Sequence, residues 1–231
     1  GIDCDAGAMT IRNCAFTNNT GGELGGAIYF NAVNMQHVLS NCTFRANQVS
    51  VGGTPHGAAV HHDRGGNLKF YDCSFTTNVA KYRGGAVYVS GTDDPSVEFV
   101  RCYFTNNVAQ MRDGGGVHLD TGAGSALFTN CVFTANYQNT NGYNGGGIYS
   151  AIPVTAVNCT FMGNLSGAGG GALYLSKLTA TNIFRNCYFT ENRTTISGTS
   201  HGSAVRQANG ACLEFYNCQF VTNDAVDSAT I

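Results

Sequence analysis

The sequence predicts an all-β fold, a right-handed parallel β-helix wound as a solenoid of eight rungs, and three observations point there. The first is a repeat centred on cysteine. Cys14, Cys42, Cys73, Cys102, Cys131, Cys159, Cys187 and Cys218 stand 28 to 31 residues apart. Each is followed two residues on by phenylalanine (Phe16, Phe44, Phe75, Phe104, Phe133, Phe161, Phe189, Phe220). Each is followed five residues on by asparagine (Asn19, Asn47, Asn78, Asn107, Asn136, Asn164, Asn192, Asn223). The second is a glycine motif that alternates strictly with it. It reads GGAIY at 25–29, GAAVH at 57–61, GGAVY at 84–88, GGGVH at 114–118, GGGIY at 145–149, GGALY at 170–174 and GSAVR at 202–206. The third is composition: 31 glycines and 3 prolines in 231 residues, with 43% of residues apolar. A fixed period of this kind marks stacked supersecondary units.

Each element of the rung has a physical reason. The apolar residues alternate at period two, as in Cys14 and Phe16 or Ile28 and Phe30, between clusters of Gly and Asn. That pattern reads as short strands bounded by turns, whereas a helical repeat would show 3.6-residue spacing. The first strand follows the paired glycines, which let the chain enter a crowded strand at φ values other residues resist. A second strand ends three residues before each cysteine, at Ile11, Leu39, Phe70, Phe99, Phe128, Ala156, Phe184 and Phe215. A tight bend follows. Its last residue is Asn in six copies, with Asp72 and Arg101 as the departures, and Asn tolerates the left-handed backbone such a bend needs. The third strand carries Cys and Phe. The expectation is three strands per rung of about 29 residues, right-handed in its crossovers and without end caps. Rungs stacked at about 4.8 Å turn inward residues into columns: a phenylalanine stack, a file of thiols and a ladder of asparagine amides bonded above and below. Rung length is expected to vary only between the Asn and the paired glycines, as in segments 47–57 and 192–202, which marks a surface loop.

Composition excludes several function classes. Charged residues make up 11% of the chain and the formal net charge is -2. A nucleic-acid binder resting on phosphate contacts needs a basic surplus that is missing here. No apolar stretch approaches the ~18 residues of a membrane-spanning helix, so membrane insertion is not expected. The start does not read as a signal peptide. Disorder is disfavoured by the apolar content.

The alternating FxxN and GGA[I/L/V] motifs resemble the repeats of chlamydial polymorphic outer membrane proteins, and the resemblance runs along essentially the whole chain. It implies a β-helical passenger of an extracellular adhesin, secreted through an outer-membrane barrel. These residues build the fold, so the resemblance speaks for architecture first and for adhesion second. The cysteine two before each Phe lies outside that family's core pattern.

Residues 1–231 read as one β-helix domain, a segment or protomer of a longer rod. Gly1 and Ile2 align with Gly147 and Ile148, and Thr230 and Ile231 align with the approach to the same motif. Uncapped terminal rungs would offer open strand edges to another chain. Gly1, Ile2, Cys4, Cys212, Thr230 and Ile231 are therefore the expected inter-subunit residues; Cys4 and Cys212 either approach each other across a head-to-tail junction or are simply two unrelated small residues outside the column. The eight column cysteines are expected to be buried free thiols, because in-register neighbours point their Cβ atoms the same way. No CxxC or CxxH pair occurs, so neither a metal nor a cofactor is expected. Of the Asn-x-Ser/Thr sites, Asn18 is the one expected to face outward and accept a glycan; Asn41 and Asn158 sit in tight bends, and Asn164 and Asn192 point inward.

An outward column follows the paired glycines: Tyr29, His61, Tyr88, His118, Tyr149, Tyr174 and Arg206. Its aromatic and polar groups suit a glycan or a neighbouring rod, or simply pair across an exposed sheet. His61 with Asp63 and His118 with Asp120 are the weak catalytic alternative, since glycosidic cleavage uses two carboxylates about 5–10 Å apart. No neighbouring Arg or Lys is evident around them. His56 and His201 hold equivalent loop positions too far apart to share a metal. The expected function is an extracellular or cell-surface structural rod that stacks on itself into a filament. The alternatives are an adhesin segment binding glycans or a host surface, and, last, a polysaccharide lyase or hydrolase.

Overall fold

The computed structural model describes residues 1–31, 34–91, 96–121, 124–140, 142–176, 181–195, 202–210 and 212–225. The chain winds into eight stacked coils, and among the described residues there is no helix. Each coil contributes one strand to each of four parallel sheets, and every sheet has eight strands in sequence order. Coil 4 is typical: Val87–Val89, Ser96–Val100, Tyr103–Thr105 and Val108–Ala109. These four positions are called sheets A, B, C and D below. Pairing is in register from coil to coil, so Phe75 pairs with Phe44 below and Phe104 above.

Sheet D is the departure from the three strands expected. Its strands are two residues long, such as Gln48–Val49 and Val79–Ala80. Two residues cannot display a period-two alternation, so the sequence pattern had nothing to register there.

Three of the four corners turn through left-handed residues. The residue before each cysteine has φ of 51 to 55° (Asn13, Asn41, Asp72, Arg101, Asn130, Asn158, Asn186, Asn217), as the bend required. Asp72 and Arg101 fit the same conformation (φ 54° and 52°) and replace the Asn-to-Asn contact of other coils with a two-pronged ion pair of 2.6 and 2.8 Å. A second left-handed corner precedes each ladder asparagine (Ala46 φ 52°, Thr77 φ 54°, Ala135 φ 51°). The third is the first glycine of each pair, as at Gly84, φ 63°. The fourth corner, from sheet A to sheet B, also varies in length: Tyr149 precedes Cys159 more closely than Tyr88 precedes Cys102. Variation is therefore not confined to the loop before the paired glycines, contrary to expectation.

The interior is the set of columns. The phenylalanines two after each cysteine stack from Phe16 to Phe220 with ring centroids 4.5 to 5.1 Å apart and planes within 12° of parallel. A second stack in sheet B (Phe70, Phe99, Phe128) meets the first edge-on, at 5.4 Å for Phe70 and Phe75. Both arrangements suit the ring quadrupole. In the asparagine ladder, the side-chain amide of Asn78 donates to Asn107 Oδ1 (2.9 Å) and to the Phe44 carbonyl (3.0 Å), while its backbone N–H donates to the same Oδ1 (3.0 Å). The same bonds recur at Asn47, Asn107, Asn136, Asn164 and Asn192. These residues are buried completely and leave no amide group idle, which is the condition for burying polar atoms without penalty.

Candidate functional site

The glycine corner sets the chain into sheet A so that the residue four after the first glycine faces out. Tyr29, His61, Tyr88, His118, Tyr149, Tyr174 and Arg206 do form one column, in register with one another. His61 meets Tyr88 at 4.8 Å with planes tilted by 49°, the rings from Tyr88 to Tyr174 stack at 4.5 to 5.3 Å, and the Arg206 guanidinium lies 5.4 Å over Tyr174. The column is not a flat exposed ladder. His61, Tyr88 and His118 are 3%, 5% and 1% exposed, and Tyr29, Tyr149, Tyr174 and Arg206 are half-buried. The residues just before the paired glycines fold back over it. His56 stacks face to face on Tyr88 at 4.3 Å, and His118 Nδ1 donates to the Asp113 carbonyl at 3.2 Å.

One carboxylate organises the middle of this face. Asp120 Oδ2 accepts from Tyr88 Oη (2.7 Å) and from Arg83 Nη1 (3.0 Å), and Oδ1 accepts from the Thr121 N–H (2.8 Å). His118 Nε2 lies 3.9 Å from Asp120 Oδ2 and has no hydrogen-bond partner. Two coils below, Asp63 Oδ1 accepts from Ser90 Oγ (2.7 Å) and the Arg64 N–H (3.1 Å). Asp63, Arg64, Ser90, Gly91, Asp120 and Thr121 line one open hollow of about 280 Å³. So an arginine does stand beside the acid pair. Arg83 was missed, and His56 was weighed only as a loop residue and not against this column, because both lie outside the two repeat motifs. The available signal was that the residue before each paired glycine recurs once per coil and must therefore form a column of its own.

Burial dominates the electrostatics. It pushes His61 and His118 down to about 3 and His56 to about 4, so all three are neutral at physiological pH. Burial and the Asp120 charge push the Tyr88 hydroxyl up. Burial raises the Asp120 carboxyl, but His118, Tyr88, the Thr121 amide and Arg83 outweigh it and hold it below its ordinary value.

The remaining residues fall as follows. All ten cysteines are free, and Cys42 through Cys187 of the column are buried. Each column thiol lies near the carbonyl two residues back, as Cys73 Sγ does at 3.3 Å from Tyr71 O, and burial raises the Cys42 and Cys102 thiols. Cys4 faces the interior in sheet A, while Cys212 is exposed at the start of a sheet B strand. Coil-on-coil superposition cannot bring these two together, because they occupy different sheets. Gly1 is exposed and Ile2 pairs with Ile28; Thr230, Ile231 and His201 lie outside the described residues. Asn18 is exposed, yet with φ of 56° it sits in the same kind of left-handed corner as Asn41 and Asn158. Among the described residues no three His, Cys, Asp or Glu side chains are grouped to hold a metal ion. No helix there is long and apolar enough to cross a membrane.

Comparison with known proteins agrees with this architecture. The profile of a right-handed beta helix region matches residues 58–229. The profile of a Chlamydia polymorphic membrane protein repeat, a membrane- and surface-associated family, matches residues 13–31. Comparison with curated proteins and with solved structures finds no match to either. With coils stacked in register and the first profile spanning most of its length, the chain belongs to the right-handed parallel β-helix family.

Proposed function

We propose that the chain is a rod segment of a secreted or surface-exposed protein, that its task is structural, and that coils stack end to end between copies. The observation that carries this reading is the polarity of the asparagine ladder. Each ladder asparagine gives its N–H groups to the Oδ1 of the next coil. The ladder therefore has a direction, with N–H donors facing the following coil and Oδ1 facing the preceding one. Phe16 and Phe220 extend the same stack at either end. At coil 8, Val205, Leu213, Phe215 and Phe220 border an open hollow of about 380 Å³, and Phe220 is 48% exposed. In-register parallel strands and a continuous aromatic stack form a template that a further coil can extend, and head-to-tail repetition of one such contact builds a filament. Sedimentation velocity tests it: the protein sediments as a growing series of species with rising concentration, and Phe220→Asp abolishes the series. A single species at all concentrations in both proteins contradicts the proposal.

A second reading is favoured by the hollow at Asp63, Arg64, Ser90, Asp120 and Thr121. Carboxylates, a guanidinium and hydroxyls around one depression suit the hydroxyl groups of a glycan, as an adhesin would require. Asp63 and Asp120 are already engaged by protein donors, and His118 is sealed from solvent, so binding rather than cleavage is the reading and no reaction is assigned. A glycan array checks it: retention on specific glycans that falls at least tenfold in Asp63→Asn supports the site, and retention unchanged in that variant removes it.

A further inference from the structure

The interior contains a pair of imidazoles that the columns do not explain. His37, in sheet B of coil 2, and His62, in sheet A of coil 3, are both 0% exposed. Their rings face each other across the core with centroids 5.8 Å apart and planes at 74°. None of their four ring nitrogens has a hydrogen-bond partner. Phe30 stacks on His37 at 4.1 Å and meets His62 edge-on at 6.3 Å. The residues directly above in the same columns are Leu68 over His37 and Val89 over His62, so the next coil fills both positions with hydrocarbon. Other polar residues of these columns make at least one bond: Ser150 Oγ donates to the Ile152 carbonyl at 2.7 Å, and Asn182 Oδ1 accepts from the Val154 N–H at 3.0 Å, with only its Nδ2 unpartnered.

We propose that coils 2 and 3 are an acid-labile joint of the rod, held closed only while the two interior imidazoles are neutral. An imidazolium here would be a buried charge with no counterion. The residues facing the pair from adjacent strands, Phe30, Leu68 and Val89, carry no charge. Burial alone lowers His37. Burial and then His37 lower His62 to about 4, and the neighbouring Asp63 only partly opposes them. The folded values are thus depressed below the unfolded value of 6.5. Above that pH both states are neutral and the pair is without effect. As pH falls below it, the opened chain binds protons that the closed coils cannot, and opening is favoured up to tenfold per pH unit per histidine. From 6.5 to about 4, His62 alone supplies roughly 300-fold, and His37 adds to it in the same direction. Coils are held mainly by their neighbours, so a solenoid can open locally. His56, His61 and His118, beside Arg83, Asp113 and Asp120 on the outer face of sheet A, are also depressed by burial and form the background against which the interior pair must be separated.

Hydrogen exchange followed by mass spectrometry, corrected for intrinsic pH dependence, makes that separation. The comparison is wild type against the double variant His37→Leu/His62→Val, which installs the residues that the columns already carry one coil up. Between about pH 7 and about pH 4.5, protection in Gln36–Ser40 and Val60–His62 falls at least thirtyfold more than in Val132–Thr134 for the wild type, and the double variant removes that excess. Equal loss in all three strands of the wild type overturns the proposal. So does an excess loss that persists in the double variant, since that assigns the lability to the outer histidines or to the carboxylates.

Discussion

A buried asparagine destabilises a core unless its whole amide is used. In this molecule the ladder uses all of it, because each Oδ1 accepts twice from the coil below and each amide donates both up and down. Removing one rung leaves several groups orphaned at once. Asn107→Ala strips the acceptor from the Asn78 N–H and side-chain amide and a donor from the Phe75 carbonyl. At about 1–3 kcal/mol for a stranded buried polar group, the expected loss is about 3 kcal/mol or more, read from the denaturant midpoint. Asn107→Asp separates hydrogen bonding from packing. It keeps the shape but sets a carboxylate oxygen against the Phe75 carbonyl, so its loss of stability grows as pH rises through the carboxyl's titration, whereas that of the alanine variant stays flat. The ladder was readable in the sequence because the same residue returns at the same offset in every repeat. The covering of the Tyr and His column was not, because His56, Arg83 and Asp113 share no residue type and only their position recurs.

At the scale of the coil, the corners decide the shape. Gly84 has φ of 63°, and a Cβ there would run into the Val87 carbonyl. Gly84→Ala is expected to lose about 2 kcal/mol, the penalty of a left-handed residue with a side chain, plus that clash; an unshifted thermal midpoint would contradict the role given to this corner. Most corners announced themselves through Asn and Gly. Left-handed Ala46, Thr77, Ala135 and Thr222 did not, since these residues rarely adopt that conformation and the register of the stack imposes it. The two-residue strands of sheet D were hidden for a related reason: their pairing comes from the coils above and below rather than from their own pattern. The same logic accounts for the hollow beside Asp63 and Asp120. It lies at the corner from sheet A to sheet B, where chain length varies from coil to coil, and such corners carry the individuality of a solenoid whose sheets are uniform.

For the whole molecule, repetition gives stiffness and direction. In-register parallel pairing in four sheets fixes each coil on the next, and the phenylalanine stack and the ladder run the length of the rod. On the proposals above, acidity would loosen the rod at the joint of His37 and His62, against the background of the outer histidines, and stacking would extend it between copies. The repeat predicted that architecture from the sequence, since identical residues at one period leave few other ways to bury them. What the rod touches could not be read that way, because binding belongs to the positions that break the repeat. The most direct test of end-to-end stacking is cryo-electron microscopy of the purified protein at high concentration. The account predicts filaments with an axial rise of about 4.8 Å per coil and a protomer length of roughly 38 Å. Dispersed particles of that single length, unchanged by concentration, would contradict it.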